Sequence, residues 1–278
     1  MLGFKRRRRE RIRRRPFPPE WLPILQRNVP YYRLLTPEEQ NQLQGHVLVF
    51  LDEKRFEGCG GLELTDEIRV TIAAQACILL LGRQTDYYPR MKSIFVYPHG
   101  YFAQAVRPRP DGVLVGGAQS RAGESWYRGP VVLSWDDVRK GAGDAHDGHN
   151  VVLHEFAHQL DSEDGQVDGA PALPRRSMYL AWARVLGGDY QRLIDDLEHH
   201  RKTLLDAYGA TQPAEFFAVA TEAFFERPVA LRRRHPALYE QLMSFYRQDP
   251  AGRACQPGGS RQVGQGKARE AGPKGPGE

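Results

Sequence analysis

The chain has 278 residues, of which 41% are hydrophobic and 26% charged, which is ordinary for a globular protein. Its formal net charge is +5, but residues 5–15 carry +8 and residues 251–278 carry +3, which leaves −6 on residues 16–250. The mildly acidic body argues against a specific nucleic-acid-binding face on the folded domain, because such a face needs clustered Lys and Arg. The three cysteines are scattered and lack C-x-x-C spacing, which argues against a disulfide framework or a thiolate zinc cage.

Both ends of the chain are predicted to be disordered. Residues 1–18 form a basic, proline-containing arm, and residues 251–278 are dominated by Gly, Pro, Gln and charged side chains. The arm has two interpretations, a solubilising tail or an element attracted to nucleic acid or an anionic membrane. Residues 19–250 between the two ends are expected to form the folded domain.

No export signal or membrane span is expected. Pro16, Pro18 and Pro19 follow the basic run where an export signal has its apolar segment. The most apolar run, residues 68–81, is shorter than about 18 residues and includes Arg69, so it predicts a core helix. A cytoplasmic location is therefore expected.

Two helices are predicted in the first third of the chain. Thr36 is a suitable N-cap, with a proline after it and Glu39 three residues later, which predicts a helix over residues 36–54. Thr65 begins the second helix, whose apolar residues recur at spacings of three and four. Gly82 is expected to end this helix.

The middle of the chain changes to short β-branched segments bounded by Gly or Pro. Strands are predicted at residues 93–97, 112–115 and 130–134. Helical patterns return at residues 150–161, 178–186, 190–208, 214–225 and 236–246. This order predicts an α+β fold, mainly helical with a small sheet.

The sequence His154-Glu155-Phe156-Ala157-His158 places two histidines four residues apart in an apolar helical pattern. Both imidazoles then lie on the same side of a helix and can share one metal ion. Neutral imidazole suits zinc, and Glu155 is placed to act as general base toward a water molecule. The pattern therefore predicts a peptidase with one Zn²⁺ per chain.

A catalytic zinc ion takes three protein ligands, so a third ligand is needed. Asp161 is either a residue that orients one of the histidines or an ordinary helix-end carboxylate. His199 and His200 lie among charged residues that are typical of a solvated helix face.

The remaining candidates, Glu215 and Glu222, lie on a very apolar predicted helix. They are seven residues apart, about 10 Å along one side of the helix, so they cannot both be ligands. Position alone leaves open which of the two binds the metal ion and which supports it.

The segments HEFAHQLD and DAYGATQPAEFFAVATEAFFERP resemble the Mlc titration factor A family of zinc peptidases, and more distantly the catalytic domain of anthrax lethal factor. The resemblance covers about residues 20–250 and implies a zincin-like metallopeptidase domain. It implies that Glu215 is the third ligand and that Tyr208 stabilises the oxyanion. Many zincins have a carboxylate four residues after this ligand, where this chain has Val219, so Glu222 is expected to take that supporting role.

The resemblance implies an endo- or aminopeptidase that acts on peptides or flexible protein segments. It also implies a transcriptional repressor as a partner, because the family is named for such binding. The alternative is a non-catalytic or latent regulator, stabilised by zinc, that sequesters a DNA-binding repressor.

Two further hypotheses concern access to the site. The strand at residues 130–134 is either an edge along which a substrate lies or an ordinary core strand. The loop at residues 118–128 could cover the metal ion and keep the enzyme latent.

Overall fold

The structure, a computed structural model, describes residues 2–254 apart from residues 109–113, 122, 126–128 and 144–146. Its helices are α1 (Leu2–Arg13), α2 (Leu22–Asn28), α3 (Pro37–Glu53), α4 (Asp66–Ile78), α5 (Trp135–Gly143), α6 (Val151–Asp161), α7 (Met178–Glu198), α8 (Pro213–Glu226), α9 (Pro228–Arg234), α10 (Pro236–Tyr246) and α11 (Pro250–Ala254). Its strands are β1 (Arg55–Gly58), β2 (Ser93–Tyr97), β3 (Tyr101–Pro108), β4 (Leu114–Arg121), β5 (Gly123–Ser125) and β6 (Val131–Ser134). Short 3-10 turns cover Pro19–Trp21, Pro30–Leu34, Ser162–Asp164 and Ala207–Ala210.

The main sheet has the strand order β1-β2-β6-β5. β1, β2 and β6 are parallel, whereas β5 runs antiparallel to β6 and forms an edge of the sheet. β3 and β4 form a separate antiparallel pair. The mainly helical α+β fold predicted from the sequence is therefore confirmed.

Helix α6 packs against α4 and α8 and also contacts the sheet strands β5 and β6. Its Phe156 is fully buried and makes ring contacts with Phe50 of α3 and with Tyr88. Burial of apolar and aromatic side chains drives this packing. α6 is thus held from several directions by elements that are distant in the sequence.

Several predicted elements are confirmed. α3 begins at Thr36 with a capping box, in which the Thr36 hydroxyl accepts from the Glu39 N–H and the Glu39 carboxylate accepts from the Thr36 N–H. Thr65 caps α4, which ends at Ile78, four residues before Gly82. β2 has the predicted bounds, and the strand at residues 130–134 is present as β6.

The two helices predicted at residues 178–186 and 190–208 are one helix, α7, which ends at Glu198. Gly187 and Gly188 lie in the interval between the two predicted helices. The helix continues because one face of it is buried along its length. Trp182 and Leu186 precede the glycine pair and Leu193 follows it, and all three are buried on that face. Residues 201–206 are not helical.

The prediction that residues 1–18 are disordered is wrong, because Leu2–Arg13 form helix α1, which packs against α3. Ile12 is buried in the core. Arg9 donates from Nε and Nη2 to the two carboxylate oxygens of Glu53, at 2.7 and 2.8 Å, and from Nη1 to Asp86 Oδ1 at 2.5 Å. These acidic partners are 44 and 77 residues away, so the local sequence gives no sign of them.

Some predictions fall wholly or partly outside the described residues. These are most of the tail at residues 251–278, part of the strand at residues 112–115 and part of the loop at residues 118–128. Within the part of the chain that is described, no helix has the length and apolar character needed to cross a bilayer.

We expect Arg9→Ala to detach α1 from the body of the protein. The substitution leaves Glu53 without its two-point partner in a largely buried position, so it should lower the free energy of unfolding by about 3 kcal/mol. Urea unfolding followed by circular dichroism measures this. Arg7→Ala is the matched control, because Arg7 is exposed and should change stability by less than about 0.5 kcal/mol. Equal effects of the two substitutions would contradict the view that the bonds of Arg9 with Glu53 and Asp86 hold α1 on the body.

Candidate metal centre

Helix α6 begins at Asn150, whose side-chain oxygen accepts a hydrogen bond from the Leu153 N–H at 3.0 Å. The helix is fixed by its buried apolar residues Val152, Leu153, Phe156, Ala157 and Leu160. His154 and His158, four residues apart, project on one side with side chains 14% and 12% exposed. The local sequence therefore directs both imidazoles toward the same point.

Helix α8 brings carboxylates to that point. Pro213 is its first residue, and every residue from Ala214 to Glu226 is buried. A helix that is apolar on all sides is a core helix, so its carboxylates need polar partners inside the protein. α8 packs against α6, which supplies those partners.

Glu215 lies between the two histidines. Its Oε2 is 3.0 Å from His154 Nε2 and 3.1 Å from His158 Nε2. One ligand atom from each of the three residues lies within 4.8 Å of those of the other two. Two imidazole nitrogens and a carboxylate oxygen are donors that zinc prefers in catalytic sites, so the residues present fit a metal ion.

Glu222 supports the same cluster from behind. His154 Nδ1 donates to Glu222 Oε1 at 2.7 Å, while Glu222 Oε2 accepts from the backbone N–H of Asn150 at 2.5 Å. The two carboxylates therefore contact opposite nitrogens of the His154 ring, Glu215 at Nε2 and Glu222 at Nδ1. A histidine that donates through one ring nitrogen keeps the other nitrogen as a metal-ligating lone pair.

The carboxylates around His154 stabilise positive charge on its ring. Burial opposes protonation of His154, but its hydrogen bonds with Glu215 and Glu222 outweigh burial and raise the His154 pKa well above its ordinary value. Burial likewise opposes ionisation of Glu215, and its bonds with His154 and His158 outweigh it and lower the Glu215 pKa. The same negative carboxylates would stabilise a divalent cation.

Glu155 and Tyr208 lie beside the cluster. Glu155 follows His154 directly in α6 and is 5% exposed. Tyr208 is 53% exposed, and its ring centroid is 6.0 Å from that of His154. Tyr208 belongs to the 3-10 turn Ala207–Ala210, whose start is capped by the Asp206 side chain.

Asp161 is fully buried, but it makes a different contact from the one that would orient a histidine. Its Oδ2 accepts from the backbone N–H of Gly169 at 2.9 Å. Among the described residues, neither Asp161 Oδ1 nor His158 Nδ1 has a hydrogen-bond partner. Burial raises the Asp161 pKa to about 6. The structure thus favours a helix-end role, in which Asp161 fixes the loop after α6.

The other histidine candidates lie elsewhere. His199 is exposed and bonds to Asp195 at the end of α7. His200 is exposed in the turn that follows. Neither belongs to the metal-ligand cluster of the described residues.

Three residues around the cluster were not predicted from the sequence. Asn150 binds Glu222 through its backbone N–H, and its side-chain amide also donates to Glu226 Oε1 at 3.0 Å. Burial raises the Glu226 pKa to about 8. Gly169 has φ +80° and lies so close to Pro213 that a Cβ would collide with its carbonyl. Asn150 was recognisable as a helix cap, whereas the other two depend on tertiary contacts.

The strand at residues 130–134 proves to be a core strand. β6 is buried along its length and is paired on both sides, by β2 and β5. It therefore has no free edge for a substrate. The outer strand next to α6 is β5 (Gly123–Ser125).

Comparison with known proteins agrees with this geometry. A family model described as glucose-regulated metallo-peptidase M90 matches residues 4–247. The protein slr2042 of Synechocystis sp. is 42% identical over 245 residues, which is 87% of this chain and 89% of that protein. Mlc titration factor A of Klebsiella pneumoniae is 34% identical over 228 residues, 81% of this chain and 85% of that protein.

A third relative extends the same relationship. Mlc titration factor A of Serratia proteamaculans is 32% identical over 228 residues, with 79% of this chain and 85% of that protein covered. The family match includes α1 as well as the helices that carry the candidate ligands. This chain therefore belongs to the glucose-regulated metallo-peptidase M90 family.

Proposed function

We propose that the chain is a zinc peptidase of the HExxH type, with His154, His158 and Glu215 as metal ligands. The observation that carries this proposal is the convergence of the three side chains within 4.8 Å beside Glu155. Two imidazoles and one carboxylate leave a coordination position for water, as in catalytic zinc sites. When bound, the zinc ion would acidify that water and polarise the substrate carbonyl.

The roles of the protein side chains follow from their positions. Glu155 takes the proton of the attacking water and delivers it to the leaving amine. Tyr208, an exposed residue whose ring lies near that of His154, donates from its hydroxyl to the oxyanion. Glu222 holds His154 through Nδ1, which fixes the tautomer that binds metal.

We propose β5 as the strand along which the substrate lies. As the edge strand of the sheet beside α6, it offers main-chain groups to an extended peptide. Pairing of this kind needs an extended segment and little side-chain preference, so peptides and flexible protein segments are the expected substrates. Both endo- and aminopeptidase specificity are compatible with an edge of only three residues.

A second candidate function is binding of a transcriptional repressor in the cytoplasm. It is supported by relatives that carry the name Mlc titration factor A. Such binding does not require a general base, so a Glu155 variant should retain it. In the non-catalytic alternative, the metal ion would stabilise the fold while the protein acts only by sequestration.

We expect Glu155→Gln to keep the metal ion and lose peptidase activity by about 10²–10⁴-fold, because the amide cannot accept the water proton. Elemental analysis and a panel of fluorogenic peptides, assayed with and without chelator, measure the two properties. Glu198→Gln, an exposed change at the end of α7, is the matched control and should retain activity. Zinc in both proteins with no activity in wild type would contradict the peptidase proposal and favour sequestration.

We expect the two site carboxylates to differ in their effect on metal affinity. Glu215→Gln should abolish stable zinc binding, whereas Glu222→Gln should weaken it by about 10–100-fold because it only supports His154. Competition with a chromogenic chelator measures both affinities. Glu198→Gln, an exposed change at the end of α7, is the control and should have little effect. A larger loss from Glu222→Gln than from Glu215→Gln would reverse the proposed assignment.

A further inference from the structure

Helix α1 has two opposite sides. Arg9 and Ile12 are buried against the body, three residues apart. Phe4, Arg7 and Arg11 of α1 and Arg14, in the turn directly after it, recur at spacings of three and four residues, which places them together on the other side; we call this set the outer stripe. All four side chains of the outer stripe are exposed.

Ion pairing is concentrated on the inner side of α1. Lys5, Arg8 and Arg9 pair with Asp86, Asp52 and Glu53 of the body. In the outer stripe, Arg14 pairs only with Glu10 of the same segment, at 3.7 Å, and both side chains are exposed. Within the part of the chain that is described, Arg7 and Arg11 have no ion pair. The contacts that fix the helix therefore leave its outer positive charge available.

The outer stripe also carries an exposed aromatic ring. Phe4 is 81% exposed, and among the described residues only Leu180, at 82%, is a large hydrophobic residue of similar exposure. An apolar ring beside arginines suits the boundary of a bilayer, where the ring enters the interface and the guanidinium groups reach the headgroup phosphates. Such a helix lies on a membrane and does not span it.

The same features are less suited to a nucleic acid. α1 has no Asn, Gln, Ser or Thr, so apart from its arginines, Lys5 and Glu10 it offers none of the polar side chains that read base edges. Residues 16–250 carry −6, which would repel a polynucleotide that extends beyond the helix. A flat anionic surface can meet the outer stripe while the acidic body stays in solution.

We propose that the outer stripe of α1 binds the protein to anionic membrane surfaces. Arg7, Arg11 and Arg14 contact lipid phosphates, and Phe4 enters the interface. The bonds of Arg9 with Glu53 and Asp86 fix the orientation of the outer stripe relative to the body. The recognised chemistry is the phosphate of an anionic phospholipid within a bilayer.

Co-sedimentation of the full chain with vesicles tests this proposal. The probes are phosphatidylcholine vesicles with and without about one third phosphatidylglycerol, at low and physiological salt. We expect binding only to the anionic vesicles, decreasing as salt rises. Arg7→Gln/Arg11→Gln should lower the partition coefficient by roughly fivefold per arginine, hence about 25-fold, and Phe4→Ser should lower it further.

Matched controls separate the outer stripe from net charge. Arg233→Gln/Arg234→Gln removes the same charge from exposed positions of α9 and should leave vesicle binding unchanged. Thermal unfolding of the α1 variants should match wild type, because their side chains face solvent. Equal loss in the α9 variant, equal binding to both vesicle types, or no effect of Phe4→Ser would overturn the proposal. Displacement from vesicles by double-stranded DNA at equal phosphate concentration would instead favour a nucleic-acid partner.

Discussion

The crossing of α6 and α8 is the contact on which the candidate site depends. Asn150 caps α6 and donates hydrogen bonds to two of the three carboxylates of α8, those of Glu222 and Glu226, so it sets the register between the two helices. With that register fixed, Glu222 reaches one nitrogen of His154 and Glu215 reaches the other. Because α8 is buried on all sides, its carboxylates need polar partners inside the protein, and each of the three has one in α6 or in its cap Asn150.

Local sequence signals were sufficient for much of the fold. The capping box at Thr36, the cap at Thr65 and the apolar run of β2 are all short-range features, and the structure retains each of them. The errors have a common cause. The arginine run of α1 has the composition of a disordered arm, and only the fold brings Glu53 and Asp86 to it as partners. The glycine pair of α7 has the composition of a helix break, but the buried face of the helix continues across it.

In the candidate site, too, some features follow from the local sequence and others depend on contacts between distant elements. His154, Glu155 and His158 lie within five consecutive residues, so helical geometry alone brings them together. The choice between Glu215 and Glu222 depends on how two helices cross, which the local sequence does not determine, and it was made by resemblance to a family. Glu226, Asn150 and Gly169 act through contacts between elements, and only the capping position of Asn150 leaves a trace in the sequence.

A crystal structure of the protein with zinc, with anomalous differences recorded at the zinc absorption edge, tests the central claim most directly. We predict one peak per chain, bonded to Nε2 of His154, Nε2 of His158 and a carboxylate oxygen of Glu215 at about 2.0–2.2 Å. Glu222 should remain hydrogen-bonded to Nδ1 of His154. A peak bonded to Glu222 with Glu215 outside the coordination sphere, or no peak between the two histidines, would contradict the proposed site.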